Sequence, residues 1–274
     1  VNGVLRSVAR GWKNVTFQNE SVRYSVPEWI IDGWNADYGR DVTEKMLEAF
    51  MQPAKITVRT NTQKCTPEEL KDRLSQEGVT VEAIEGISYA FALSGFDYLA
   101  GLGSFQDGWF YVQDISSMTV AHAADPKKGD YIIDVCAAPG GKSSHLAELL
   151  DGSGMVEARD LTEYKVGLIE ENILRHDLHN MKAVQQDATL FDETSVEKAD
   201  ILICDLPCSG LGVIGRKSDI RYKMTAEKAH DLAVLQQEML DTVWKYVKRG
   251  GKLIYSTCTI HKEENEDNVA AFLQ

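Results

Sequence analysis

Tyr131-Ile132-Ile133-Asp134-Val135-Cys136-Ala137-Ala138-Pro139-Gly140-Gly141-Lys142-Ser143 runs from an apolar strand pattern, through two glycines, into a polar helix-forming segment. A strand ends, the glycines let the backbone turn tightly against a ligand, and a helix opens with its free N–H groups at the turn. The stretch nearly matches the phosphate loop G-x-x-x-x-G-K-[ST], but Cys136 stands where the first Gly belongs. A nucleotide or nucleoside site is expected here. Outward from it the pattern repeats. Strand candidates at 131–136, 155–159, 183–185, 201–205 and 252–256 alternate with helix candidates at 142–150, 163–175 and 226–247. Apolar strands separated by helices predict a doubly wound parallel sheet, whose ligands bind beyond the carboxyl ends of its strands.

Three more of those ends carry chemistry. Asp160, 24 residues after Cys136, stands where an acidic side chain could bond ribose hydroxyls. The strand Ile201–Asp205 delivers a carboxylate, then Pro207 and the thiol of Cys208, into a loop with glycines. The strand from Lys252 ends in Ser256-Thr257-Cys258. Cys204, inside its strand, is expected to be a small core residue. Cys208 and Cys258 lie beyond strand ends and are the candidates for reactivity. A lone strand-end cysteine is usually structural. Two at one sheet edge, beside a nucleoside-type turn and Asp205, point to chemistry.

The rest of the chain narrows the class. Its 274 residues are 43% hydrophobic and 26% charged, which excludes disorder. There is no apolar run long enough for a membrane span and no signal-peptide layout at the start. Five cysteines without C-x-x-C spacing indicate a reducing cytosol, no disulfide scaffold and no bound metal. A net charge of −13 argues against general nucleic-acid binding. One segment runs the other way: Arg216, Lys217, Arg221 and Lys223 surround Tyr222 with only Asp219 opposing, a candidate contact for an anionic partner. Before the parallel sheet, residues 26–128 read as a small α+β domain. It opens with a helix after Pro27, holds a strand at Ile56–Thr60, and continues with a Thr66-capped helix starting at Pro67. Short strands at 79–84, 90–93 and 109–112 complete it. The first 13 residues read as the end of a helix, and 14–25 as a polar stretch.

These segments resemble the cofactor loop and the two cysteine motifs of the 5-methylcytosine RNA methyltransferases of the Nop2/Sun/RsmB family. Asp205-Leu206-Pro207-Cys208 and Ser256-Thr257-Cys258 come in the family's order, with the thiols 50 residues apart. Tyr111–Ser117 and Lys217–Tyr222 match further. Val1–Arg6 resembles the last helix of the NusB-like domain in the family's small-subunit ribosomal RNA branch. The resemblance implies a Rossmann-like S-adenosylmethionine-dependent methyltransferase fold over 129–274. A small α+β, RRM-like domain over 26–128 would precede it, and residues 1–25 would be the end of a helical domain and its linker. It also implies a fragment, truncated at its C-terminus, because five parallel strands are found where the fold has seven.

By the same resemblance, Cys258 is the nucleophile, Cys208 assists product release, and Asp205 bonds the cytosine edge. Lys142 joins this catalytic set. The cofactor, S-adenosylmethionine, would meet Cys136, Ala137, Ala138, Pro139, Gly140, Gly141, Lys142 and Asp205, with Asp160 on the ribose and Asp187 near the adenine. Arg216, Lys217, Arg221, Tyr222 and Lys223 would face RNA. The chemistry needs these types: C5 of cytosine is too electron-poor to take a methyl group until a thiolate adds at C6. DNA cytosine-5 methyltransferases use the Pro-Cys thiol instead, so spacing leaves the two thiols open and the resemblance selects Cys258. The implied partner is small-subunit ribosomal RNA or the assembling small subunit, met by a cytosolic monomer without membrane or metal. The rival readings are a P-loop-like NTPase, a non-catalytic RNA-binding module, and a methyltransferase acting on tRNA or another RNA.

Overall fold

The structure, a computed structural model, describes residues 1–11 and 15–274. The chain opens with α1 (Asn2–Gly11), which buries no residue, then α2 (Glu20–Tyr24), α3 (Glu28–Tyr38) and α4 (Arg40–Met51). The helix expected over the first 13 residues is present as α1; its positions 12 and 13 lie outside the described residues, as does Asn14 of the polar stretch. Part of that stretch is helical after all, because Asn19 caps α2 by accepting the Val22 N–H at 2.9 Å. Pro27 takes the N-cap of α3. Ile30, Ile31 and Trp34 of α3 and Leu47 of α4 pack against Leu211 and Ile214, far along the chain. The N-terminal helices therefore brace the loop that follows Cys208.

A four-stranded antiparallel sheet comes next: β1 (Ile56–Thr60), α5 (Pro67–Gln76), β2 (Thr80–Ile84), β3 (Ile87–Ser94), α6 (Gly103–Gln106) and β4 (Phe110–Val112). Thr66 and Glu69 form the capping box of α5. The strand order β2-β3-β1-β4 with this connectivity is a ferredoxin-like plait, the topology of an RRM. One face, with Val58, Phe91, Leu93 and Phe110, packs on Leu70 and Leu74 of α5.

The other face of this sheet is covered. RRM domains read RNA with aromatics on the open sheet, but here that face is covered by the parallel-sheet half of the chain. Arg59 Nη1 meets Glu148 Oε2 at 2.5 Å with both side chains buried, and Arg59 Nε donates to Gln113 Oε1 at 2.7 Å. The Tyr111 ring stacks on His176 at 3.6 Å between centroids.

After α7 (Ile115–Ala124) the chain builds β5 (Tyr131–Asp134), α8 (Gly141–Leu149), β6 (Met155–Asp160), α9 (Glu163–His176), β7 (Met181–Gln185), β8 (Ala199–Asp205), α10 (Ile220–Lys223), α11 (Ala226–Val243), β9 (Val247–Ser256) and α12 (Glu266–Phe272). The sheet order is β7-β6-β5-β8-β9, parallel throughout. Its direction of winding reverses between β5 and β8, the point where doubly wound sheets open a ligand crevice. Leu146, Ala147 and Ile169 of α8 and α9 cover one face; Met239, Leu240 and Val243 of α11 cover the other. The helix expected to run to 247 stops at Val243, and β9 begins at Val247 rather than 252. The Gly250-Gly251 pair sits in an irregularity of the β8–β9 register, not before the strand. A Cβ at Gly251 would come within 2.9 Å of the Asp200 carbonyl, so glycine is required there.

Candidate active site

At the end of β5 the chain turns through residues 135–140 into α8. The Ala137 N–H donates to the Arg159 carbonyl at 2.8 Å and the Ala138 N–H to Asp160 Oδ2 at 3.0 Å. Gly140, at φ 104°, closes the turn. Asp160, buried at the end of β6, also accepts the Leu161 N–H at 2.8 Å and lies 3.0 Å from Lys165 Nζ. Asp134 is wholly buried; burial raises its carboxyl to about 7 although Ser143 Oγ donates to it at 2.5 Å. Burial likewise pushes the Cys136 thiol up, out of reactive range. Lys142 Nζ sits 2.6 Å from Asp205 Oδ2, and Ser256 Oγ donates to Asp205 Oδ1 at 2.7 Å. The Asp205 carboxylate is thus fixed from both sides.

A cleft of about 450 Å³ opens there. It is lined by Ala137, Ala138, Pro139, Gly141, Lys142, Asp134 and Asp205, and also by Gln113, Asp114, Arg216 and Lys217. Asp187 lies in the loop after β7, outside that lining, and its Oδ1 accepts the Thr189 N–H at 2.9 Å.

Cys208 and Cys258 meet with their sulfurs 3.1 Å apart, and the Cys258 N–H donates to Cys208 Sγ at 3.2 Å. The hydrogen bond from Cys208 draws the Cys258 thiol down to about 7, against burial and the Asp205 charge and with help from Lys217 and Lys142. The same bond, together with burial, pushes the Cys208 thiol well up. The two sulfurs therefore share one proton, with the thiolate drawn toward the exposed Cys258. Cys204 is fully buried in β8, as its place inside the strand predicts.

The basic cluster divides. Arg216 and Lys217 line the cleft, where Arg216 pairs with Asp114. Arg221 departs from the expected RNA contact: it is buried, its Nη1 donates to the Tyr24 carbonyl at 3.0 Å and its Nε to the Ile214 carbonyl at 3.3 Å. Tyr222 and Lys223 are exposed, the latter paired with Asp219 at 2.8 Å. Sequence reasoning passed over Ser209, Gln236, Thr259 and Glu264, which lie buried behind the thiols. Glu264 sits in Lys262-Glu263-Glu264-Asn265-Glu266, a run that reads as a solvated face and carries no signal of burial. Among the described residues no group of three or more His, Cys, Asp or Glu is arranged to hold a metal, and no helix is long and apolar enough to cross a membrane.

The chain is similar to known proteins. The chain is 40% identical over its whole length to the probable ribosomal RNA small subunit methyltransferase B of Bacillus subtilis, of which it spans 63%. It spans under two thirds of the length of the curated relatives it matches. The crystal structure of PH0851 superposes with a TM-score of 0.90 at 32% identity, over 94% of this chain and 60% of that one. NSun6 from Pyrococcus horikoshii, solved with SFG, shares the fold at a TM-score of 0.83 and 24% identity, over 90% of this chain and 87% of that one. Residues 26–96 match the ferredoxin-like domain of RsmF/B-like methyltransferases. Residues 121–274, which hold the Gly-rich turn, Asp205 and both thiols, match the 16S rRNA methyltransferase RsmB/F family, and it is to this family that the chain belongs.

Proposed function

We propose that this protein methylates C5 of a cytosine in small-subunit ribosomal RNA through a covalent adduct at C6. The observation that carries the reading is the thiol pair, one member drawn down to about 7, at the same sheet edge as a nucleoside-type turn. The cleft suits S-adenosylmethionine as cofactor. Its size and glycine-lined approach admit a nucleoside, and the Asp134 and Asp205 carboxylates on its wall match a cationic amino-acid sulfonium. Residues 136–142 and Asp205 would hold the methionine side, Asp160 the ribose, and Asp187 the adenine. When bound, S-adenosylmethionine supplies the methyl group.

The chain's own residues do the rest. The Cys258 thiolate forms a bond to C6, which turns C5 into an enamine-like nucleophile. Asp205, held by Lys142 and Ser256, accepts hydrogen bonds from the N4 amino group and from N3 as N3 takes up a proton from water, so that the negative charge delivered by the thiolate is neutralised. After methylation the C5 proton must leave and the C6–S bond must break. Cys208, in contact with the departing sulfur, assists that release. Arg216 and Lys217 at the cleft receive the RNA backbone with the target base splayed into it. The reading is of a cytosolic protein acting as a monomer without metal.

Bisulfite sequencing of 16S rRNA from cells with and without the gene tests the substrate. The expected result is one cytosine that converts only in the deletion strain. Unchanged 16S rRNA with a newly converting cytosine in tRNA would move the activity to the other RNA class.

A further inference from the structure

The segment after β9 returns a carboxylate to the back of the thiol pair. Glu264 has no exposed surface. Its Oε1 accepts the Ser209 backbone N–H at 2.8 Å and Gln236 Nε2 at 3.0 Å, and its Oε2 accepts the Ser209 hydroxyl. Ser209 Oγ in turn lies 2.8 Å from Thr259 Oγ1. Ser209 follows Cys208 and Thr259 follows Cys258, so the carboxylate holds the first loop directly and reaches the second through the Ser209 hydroxyl, a single residue beyond each sulfur. Gln236 Nε2 also donates to the Pro207 carbonyl at 2.8 Å, and the Tyr255 hydroxyl donates to the Glu264 carbonyl at 2.6 Å.

Taking a carboxylate out of water is costly unless hydrogen bonds replace the solvent. Burial pushes the Glu264 carboxyl up, but the His261 imidazole beside it and the Ser209 donors hold it below its ordinary value. None of this is needed to close the sheet, because β8 and β9 already pair from Ile201 against Lys252 to Asp205 against Ser256. What the network joins is the two loops that carry the thiols.

We propose that Glu264, acting through Ser209, is a positioning residue that holds Cys208 within hydrogen-bonding distance of Cys258. The inference deepens the two-thiol reading above and rests on it for its catalytic meaning. The juxtaposition itself belongs to the free protein and can be measured without RNA.

The test uses the full protein carrying Glu264→Gln or Ser209→Ala, with Cys208→Ala as reference. Ser209→Ala keeps the backbone N–H and removes only the hydroxyl, so it serves where Glu264→Gln fails to fold. The first measurement is the rate at which diamide closes the Cys208–Cys258 disulfide, read by peptide mapping; the two thiols lose two hydrogens and the azo reagent becomes the hydrazine. Both variants should melt cooperatively and bind S-adenosylmethionine like the parent, yet close the disulfide about tenfold more slowly or worse, the sensitivity expected of displaced reacting groups. The second is methyl transfer, where kcat should fall while KM for RNA stays. Parental disulfide rates in a folded variant would overturn the proposal, with or without a loss of kcat. Normal turnover by Cys208→Ala would instead overturn the two-thiol reading, and the disulfide rates would still decide the positioning role.

Discussion

The Cys258 thiol is drawn down by what stands 3.1 Å away: its sulfur shares a hydrogen bond with that of Cys208, and Lys217 and Lys142 add positive potential. Alkylation by iodoacetamide should therefore rise with pH around a midpoint near the value of about 7. In Cys208→Ala the thiolate loses its donor, so the midpoint should climb toward the ordinary thiol value of about 8.5. A midpoint that stays put would remove Cys208 as the cause. At this scale the thiols, Asp205 and the Gly-rich turn were legible, because a residue's place at a strand end follows from a local pattern. Glu264 and Arg221 were not. Each is a charged side chain in a charged run, and each is buried by partners far along the chain, Ser209 in one case and the Tyr24 carbonyl in the other. No local pattern records such a partner. The P-loop likeness stays a rival reading at the sequence level, since a strand–glycine–helix turn serves nucleosides as well as phosphates.

Between elements, the first sheet meets α8 across an interface that buries charge. Arg59 of β1 and Glu148 of α8 form a buried ion pair across it. Arg59→Ala leaves Glu148 charged and alone, and should cost about 3–5 kcal/mol in urea unfolding; a loss under about 1 kcal/mol would mean that the interface relaxes or admits water. Two histidines are buried nearby. Burial, followed by the Arg59 charge, lowers His145 to about 2, and burial followed by Arg175 lowers His176 to about 3. Both folded values lie below the unfolded value of about 6.5, so the unfolded chain binds more protons on the acid side. The stability they contribute is present above about pH 6.5 and is lost as pH falls below it, by up to about 1.4 kcal/mol per pH unit for each. Unfolding curves between about pH 7 and about pH 5 should show this slope, and His145→Asn should make it shallower. An unchanged slope would show that His145 gains its proton without unfolding. The alternation of strands and helices made the parallel sheet legible, and the capping box made α5 so. The covered face of the first sheet was not, because Thr57, Arg59 and Tyr111 look like the open side of any plait until the second sheet is placed against them.

Over the whole molecule, the N-terminal helices and the first sheet serve as a frame for the catalytic sheet. α3 and α4 brace the loop after Cys208 through Leu211 and Ile214, and β1 and β4 seat α8 through Glu148 and Gln113. On the proposed reading the RNA would be met by Arg216 and Lys217 at the cleft, a small basic surface on a protein of net charge −13, so that position would count for more than bulk charge. The central claim is that two thiols divide the chemistry in time, Cys258 before methyl transfer and Cys208 after it. The most direct measurement incubates Cys208→Ala and Cys258→Ala variants of the full protein with substrate RNA and S-adenosylmethionine and runs the products on a denaturing gel. The account predicts a stable protein–RNA band with Cys208→Ala, which reacts once and stays attached, and none with Cys258→Ala. A band with Cys258→Ala and none with Cys208→Ala would contradict it and make Cys208 the nucleophile.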